Sequence, residues 1–453
     1  MNKVHFTSLG CARNLVDTEV MIGVLLRAGF TAVNETTDAD YLVVNTCGFL
    51  ESAREEGFRT IEALFQEKKK GAKVIVAGCM VRGSKDSLKE RFPEIHYFLG
   101  SGDMERVLEA VLSEEQGEHL SDAKSYLQQG EVPRTLSTPK HYAYLKIAEG
   151  CKKRCAFCII PLIKGKLVSK SVSQVMREFL LLINEGCKEV ILIAQDLGDF
   201  GKDRGENDAL ETLLKEMVKV QGDYWIRLLY LYPDEITEGV IQIVKENPQI
   251  CPYLDMPLQH INDRILKRMH RKTDRKQIET IIATLRKEIP EIVIRTSLMV
   301  GFPGETEEEF VELLDFVKSY KLDNVGIFKY SREEESYSAK LDGHISEEVK
   351  EDRYQRLAKA QQDVLEGDKY IGQRLRVLID GYHPESKDLL VGRFYGQCPE
   401  IDGRVIINDW RKVTGFGEFY EVEITDAIGY DLIGRVLTSN VNKVRRKLSI
   451  SPS

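Results

Sequence analysis

Six of the nine cysteines in this 453-residue chain fall into two patterned groups. The tighter group is Cys151-Lys152-Lys153-Arg154-Cys155-Ala156-Phe157-Cys158, a C-x3-C-x2-C spacing directly after a strand-like run at 142–148. Three thiolates within eight residues can turn inward onto one metal centre. Zinc and electron-transfer clusters ordinarily take four protein ligands, and the nearest other cysteines are Cys79 and Cys187. Three ligands leave one coordination position open, and an open position is where chemistry occurs. A 4Fe–4S cluster with one open iron fits this best. The alternatives are a reduced core cluster and a zinc ion with a distant fourth ligand.

The looser group is Cys11, Cys47 and Cys79, each at the end of a short apolar run. Helical patterns at 17–28 and 53–66 separate the runs, so strand, helix, strand, helix, strand implies a parallel sheet with right-handed crossovers. Ligands of such sheets sit beyond the carboxyl ends of the strands, the edge that all three cysteines occupy. Gly10, Gly48 and Gly78 flank them and allow close approach of backbone to a cluster. A second three-ligand cluster is the expectation; small buried cysteines filling strand ends is the alternative. A fourth strand is expected at 95–100 and a helix at 103–112.

The elements that must position the tighter group follow. From 142 to 330 there are six strand candidates with helical patterns between them. At roughly 30 residues per unit this fits a partial (β/α)6 barrel. The cysteine loop follows its first strand and so lies at its carboxyl edge. The turn Val300-Gly301-Phe302-Pro303-Gly304-Glu305-Thr306 after the fifth strand could cradle a small cofactor through backbone groups of Gly301 and Gly304. His260, His270, Cys187, Cys251 and Cys398 read as packing or polar residues. A charged helix at 346–369 reads as a connector. Five short strands then suggest a small OB-like barrel. Between residues 370 and 437 that module carries eight positive and eleven negative side chains, which suits a basic protein better than a phosphate backbone.

The expected divisions are an amino-terminal parallel αβ domain at 1–115, a linker at 116–139, the barrel core at 140–368, the small barrel at 369–437 and a tail at 438–453. The formal net charge is −8, which argues against bulk nucleic-acid binding. An odd cysteine count is not a secreted disulfide framework. There is no apolar signal core or spanning run, so a cytoplasmic protein without membrane contact is expected.

The C-x3-C-x2-C loop with Phe157 before its third cysteine, on a six-unit barrel, resembles the radical S-adenosylmethionine (SAM) superfamily. The amino-terminal three-cysteine domain, and a terminal barrel similar to a TRAM domain, narrow the resemblance to the methylthiotransferases. The motifs Ser8-Leu9-Gly10-Cys11-Ala12-Arg13-Asn14-Leu15-Val16-Asp17, Lys146-Ile147-Ala148-Glu149-Gly150-Cys151 and Pro252-Tyr253-Leu254-Asp255-Met256-Pro257-Leu258-Gln259-His260 resemble the ribosomal-protein (RimO-type) branch. One departure is Gln195-Asp196-Leu197-Gly198, where that branch carries hydroxyl residues. The resemblance implies SAM and two 4Fe–4S clusters as cofactors. Cys151, Cys155 and Cys158 would hold the SAM-cleaving cluster, and Cys11, Cys47 and Cys79 the auxiliary one. Phe157, Gly301 and Gly304 are the candidate cofactor contacts. It implies transfer of a methylthio group to an aspartyl β-carbon of small-subunit ribosomal protein number twelve, with one SAM as methyl donor and one as radical source. An electron donor such as flavodoxin or ferredoxin is implied as a further partner. A tRNA adenosine as substrate, or a non-catalytic electron carrier or binding module, are the competing functions.

Overall fold

The computed structural model describes residues 2–121, 127 and 132–437. The expected tail at 438–453 and part of the expected linker lie outside the described residues. The amino-terminal unit is a six-stranded sheet in the order β2-β1-β3-β4-β5-β6, every pair parallel. Its strands are β1 Lys3–Ser8, β2 Thr31–Ala32, β3 Tyr41–Thr46, β4 Lys73–Gly78, β5 Tyr97–Gly100 and β6 Gly117–His119. Helices α1 Ala12–Arg27, α2 Glu51–Glu67 and α3 Cys79–Arg91 make crossovers. Helix α1 starts five residues before the expected position, because Cys11 itself is its N-cap. The last strand, β6, lies beyond the expected boundary at 115, and a short 3-10 turn precedes the helix Val107–Leu112. Edge strands of two or three residues carry too few side chains to show a period.

The second unit is a six-stranded parallel sheet in the order β14-β13-β12-β11-β10-β7. Its strands are β7 Tyr142–Lys146, β10 Glu189–Ile193, β11 Trp225–Leu228, β12 Ile250–Asp255, β13 Val293–Val300 and β14 Asn324–Lys329. The order follows the chain and β14 does not pair with β7, so the barrel is partial. Three of its helices start on capping boxes, at Ser171/Gln174, Asp274/Gln277 and Thr306/Glu309, which satisfy first-turn donors. An antiparallel ribbon, β8 Ala148–Glu149 with β9 Val168–Ser169, clamps the two ends of the cysteine loop. Gly150 opens that loop at φ +78°, where an added Cβ would lie 2.1 Å from the Lys166 carbonyl oxygen.

The third unit is a closed five-stranded barrel, β15-β16-β17-β19-β18. Its strands are β15 Arg374–His383, β16 Ser386–Phe394, β17 Val405–Asp409, β18 Phe419–Ile428 and β19 Asp431–Val436. It plugs the interior of the partial barrel. Phe419 stacks edge-on to Trp225 at 4.6 Å, and Leu378 and Cys398 join Tyr142, Tyr144 and Tyr253 in one buried cluster. Beneath them Glu189 bonds Arg227 at 2.6 Å and also Arg393, which pairs in turn with Asp380. The helix Glu347–Val364 is more than a connector: Leu357 is buried with the barrel's helix layer, and Arg353 donates to the Glu305 carbonyl. No helix among the described residues is long and apolar enough to cross a membrane.

Candidate functional site

Cys11, Cys47 and Cys79 follow β1, β3 and β4 at one sheet edge, as the crossover pattern requires. A Cβ on Gly10 would lie 2.7 Å from Cys47 Cβ, and one on Gly48 would lie 2.8 Å from the Cys79 carbonyl carbon. Asn14, one turn into α1, ties the three loops together. Its Nδ2 donates to the carbonyls of Leu9 and Thr46, both at 3.1 Å, and its Oδ1 accepts from the Cys79 thiol at 3.5 Å. Nothing in the spacing marks Asn14 as such a hub; only the turn geometry of α1 reveals it.

Cys151, Cys155 and Cys158 line the barrel's carboxyl edge, and each sulfur meets a donor. The Lys153 amide donates to Cys151 Sγ and the Ile160 amide to Cys158 Sγ, both at 3.4 Å. Arg271 Nη1 lies 3.6 Å from Cys155 Sγ, and the Tyr232 hydroxyl 3.7 Å. Such donors favour the thiolate, the form that binds metal. Among the described residues, one set of three Cys, His or acidic side chains has all its donor atoms within 4.8 Å of one another: Asp196, Asp199 and Glu235. Lys153 occupies it, 2.5 Å from Glu235 and 3.3 Å from Asp196. Neither cysteine triad is that tight. Cys187, Cys251 and Cys398 are buried and far from such an arrangement.

The two triads face each other. Cys79 packs with Ile159 and Ile163, one and five residues after Cys158. A buried network locks α1 to the barrel mouth. Lys146 bonds Asp17 and, at 2.7 Å, Glu149; Lys164 reaches Asp17 at 3.2 Å and Glu149 at 3.5 Å; Gln195 donates to Glu149. Burial alone would raise the Glu149 carboxyl, but Lys146 and Lys164 outweigh it and hold it below the usual range. The cysteines differ in setting. Burial would raise Cys11, but Arg13, Lys164 and nearby amides pull it below its ordinary value, whereas burial pushes Cys79 up to about 12. In the barrel loop burial pushes Cys151 up to about 11 and Cys158 up to about 12.

Phe157 is half-buried against Ala156, Ile265, Met269, Phe302 and Tyr330. The turn after β13 is built differently from the expected cradle. The amides of Gly301 and Phe302 both donate to Glu305 Oε2, and the Gly304 amide donates to the Gly343 carbonyl. Those amides are occupied within the protein. His260 is buried and accepts from the Asn262 amide at 3.0 Å, and His270 stacks on Tyr337 at 4.6 Å, so both act as the polar or packing histidines expected. A cavity of about 220 Å³ opens beside Cys79, lined by Arg54, Met80, Ile159 and Glu333, Glu334 and Glu335. A second, of about 210 Å³, lies against Cys155 and is basic, with Lys152, Lys153, Arg154, Arg271 and Lys272 in its wall.

Three segments match described families: residues 3–100 the uncharacterized protein family UPF0004, residues 145–317 the radical SAM superfamily, and residues 371–437 the TRAM domain. The whole chain is similar to curated proteins named ribosomal protein uS12 methylthiotransferase RimO. It is 58% identical to that of Protochlamydia amoebophila, over 96% of this chain and 93% of the relative. It is 54% identical to that of Chlamydia pneumoniae (99% and 96% covered) and 44% identical to that of Bdellovibrio bacteriovorus (97% and 98% covered). The solved structure of the radical SAM methyltransferase TsrM from Kitasatospora setae shares the fold, with a TM-score of 0.54 at 16% identity over 74% of this chain and 76% of that one.

Proposed function

This chain belongs to the ribosomal protein uS12 methylthiotransferase family, and we propose that it is a radical SAM enzyme adding a methylthio group to an aspartyl β-carbon of uS12. One observation carries the reading beyond likeness: two open three-cysteine sites, from different domains, converge on one mouth. Cys151, Cys155 and Cys158 would hold the SAM-binding 4Fe–4S cluster, and Cys11, Cys47 and Cys79 an auxiliary cluster. When bound, these groups supply one-electron cleavage of SAM and the sulfur to be transferred.

The chain's own residues prepare that chemistry. Arg271, Tyr232 and the amides of Lys153 and Ile160 surround the loop sulfurs with donors. Phe157 and its apolar neighbours wall the loop on one side. Gly301 and Gly304, in a turn locked by Glu305, shape the rim near the cofactor through packing rather than through free amides. The third domain plugs the barrel floor, so the mouth is the way in, and a site closed to water protects a radical from stray donors. The exposed Glu334 and Glu335 at the rim suit a basic protein substrate, while Glu333 is buried and spent on Arg54. At the cavity beside Cys155 the exposed Lys152, Arg154 and Lys272 suit an acidic electron donor such as flavodoxin or ferredoxin. The small barrel carries eight positive and eleven negative side chains, and Arg376 and Arg393 are spent on Asp223, Glu189 and Asp380, which supports a protein partner rather than nucleic acid; a ribosomal-protein substrate supports a cytoplasmic setting.

Mass spectrometry of uS12 and of tRNA from cells lacking this chain tests the reading. Loss of the uS12 methylthio group with tRNA unchanged is expected. Intact uS12 with a methylthio group missing from tRNA would overturn it.

A further inference from the structure

Buried and half-buried cations around the mouth are matched to carboxylates almost without exception. Lys146 and Lys164 share Asp17 and Glu149, Lys153 meets four acids, and Arg134 holds Glu19 at 2.6 Å. Arg271 is balanced by the Cys155 sulfur and the Pro257 carbonyl. Arg13 stands apart. It is half-buried in the first turn of α1, two residues after Cys11. Its Nη1 donates to the Ala194 carbonyl at the end of β10 at 2.9 Å, and its guanidinium lies 4.7 Å over the Tyr230 ring. It also contacts the Cys11 sulfur. Among the described residues no carboxylate is paired with it.

The support beneath Arg13 is over-determined. Tyr230 has φ 61°, a left-handed conformation that a bulky side chain adopts only where its surroundings impose it. Its amide donates to Asp255 Oδ2 at 3.2 Å, and its carbonyl accepts from the Leu197 amide at 2.9 Å. The ring is thereby fixed as a floor under the guanidinium. Stacking occupies the face of a guanidinium and leaves its edge for a planar, two-oxygen partner. Held two residues after Cys11 and bonded to the carbonyl at the end of β10, the guanidinium sits where α1 meets the carboxyl edge of the barrel, with no carboxylate in ion-pair contact among the described residues.

We infer that Arg13 binds the side-chain carboxylate of the target aspartyl residue and so selects an anionic substrate. The inference rests on the proposed uS12 reading. The reacting β-carbon is bonded directly to that carboxylate, so a guanidinium gripping both oxygens sets the β-carbon between the triads. A neutral adenine offers no such partner.

The test compares reconstituted enzyme on uS12 carrying its target aspartate and on uS12 with that residue changed to asparagine, with rates normalised to iron content. Wild type is expected to favour aspartate by about 100-fold in kcat/KM, the scale of a lost charge-assisted pair. Arg13→Lys keeps a preference of at least about tenfold, and Arg13→Gln brings the ratio near one. A wild-type ratio near one, or an undiminished ratio in Arg13→Gln, overturns the inference. If Arg13→Gln turns over neither protein, its binding to the aspartate and asparagine forms, measured by titration calorimetry beside wild type, decides: equal affinities support the inference and a retained aspartate preference overturns it. Wild type that modifies neither form would count against the uS12 reading itself, not against Arg13.

Discussion

Cys151, Cys155 and Cys158 share one excursion between two paired strands, whereas Cys11, Cys47 and Cys79 come from three strand ends 36 and 32 positions apart. The first site is local in its ligands: the β8–β9 ribbon and Gly150 bracket all three in one loop, and Tyr232 and Arg271 come to it from elsewhere in the barrel. The second exists only when the parallel sheet is complete, because each ligand arrives on a different crossover. Long-range closure is slow and couples the site to the stability of its whole domain. Metal loading should therefore respond differently in the two places, and that difference can be tested from the strongest perturbation to the weakest.

Removing a ligand is the strongest. Two 4Fe–4S clusters hold about eight irons. Cys155→Ala should keep about half of them and lose SAM cleavage entirely, read as 5′-deoxyadenosine release under dithionite. Cys11→Ala should also keep about half and still cleave SAM, but transfer no methylthio group. Loss of both clusters, or of neither, in either variant would break the two-site comparison.

Glycine substitutions sharpen it. Gly78 has φ +103°, and an added Cβ would lie 2.4 Å from both Asn45 Oδ1 and the Thr46 carbonyl oxygen. Gly78→Ala should cost about 3 kcal/mol of amino-terminal domain stability and take the auxiliary iron with it, seen as an early transition in calorimetry. Gly150→Ala should empty the loop site while leaving the main thermal transition within a few degrees. A third change falls on both sites at once. Lys164→Met leaves Asp17 and Glu149 to share Lys146, a broken buried pair costing about 3 kcal/mol. Denaturant titration should show it, with iron content reduced in both places.

The smallest effect is on pH dependence, and its sign differs between the two units. Burial, reinforced by Asp103, pushes Glu105 up from 4.5 to about 7. The folded domain keeps a proton there that the unfolded chain releases, so this contribution is lost as pH rises from 4.5 through about 7. Burial pushes His260 down from 6.5 to about 3. Its contribution is full above 6.5 and is lost as pH falls toward about 3. Hydrogen exchange between pH 5 and 8 should show Glu105→Gln flattening the alkaline arm in the first domain and His260→Asn the acid arm in the barrel.

Much of this arrangement was legible in the chain. Apolar runs ending in Cys11, Cys47 and Cys79 revealed the sheet edge, since parallel strands buried on both faces read as continuous hydrophobic stretches. The helix Arg275–Glu288 is legible because its amphipathic period runs uninterrupted between the cap Asp274 and Pro290. The barrel's inner wall was not. Glu189, Arg227 and Trp225 lie in strands, but nothing in their spacing says what covers them; all are buried, because a separate domain does so. The turn at Gly301 and Gly304 looked like a cradle; Glu305, four residues on, takes its amides. Asn14 and Arg13 carried the family resemblance but not their contacts, and Lys164 gave no signal, since their partners lie 32, 181 and 147 positions away in the chain.

The plug in the barrel floor bears on how the chain is made. Glu189 grips Arg227 with one oxygen and Arg393 with the other, and Trp225 finds Phe419 as its cover. A ribosome adds roughly 5–20 residues per second, so about 10 s or more separates the emergence of Arg227 from that of Arg393. Throughout that interval the nascent barrel presents Tyr142, Tyr144, Trp225 and Tyr253 to water as an uncovered aromatic wall. The final domain thus completes the catalytic core last, and a message truncated before Arg374 should yield protein that needs chaperones and aggregates rather than a smaller working enzyme.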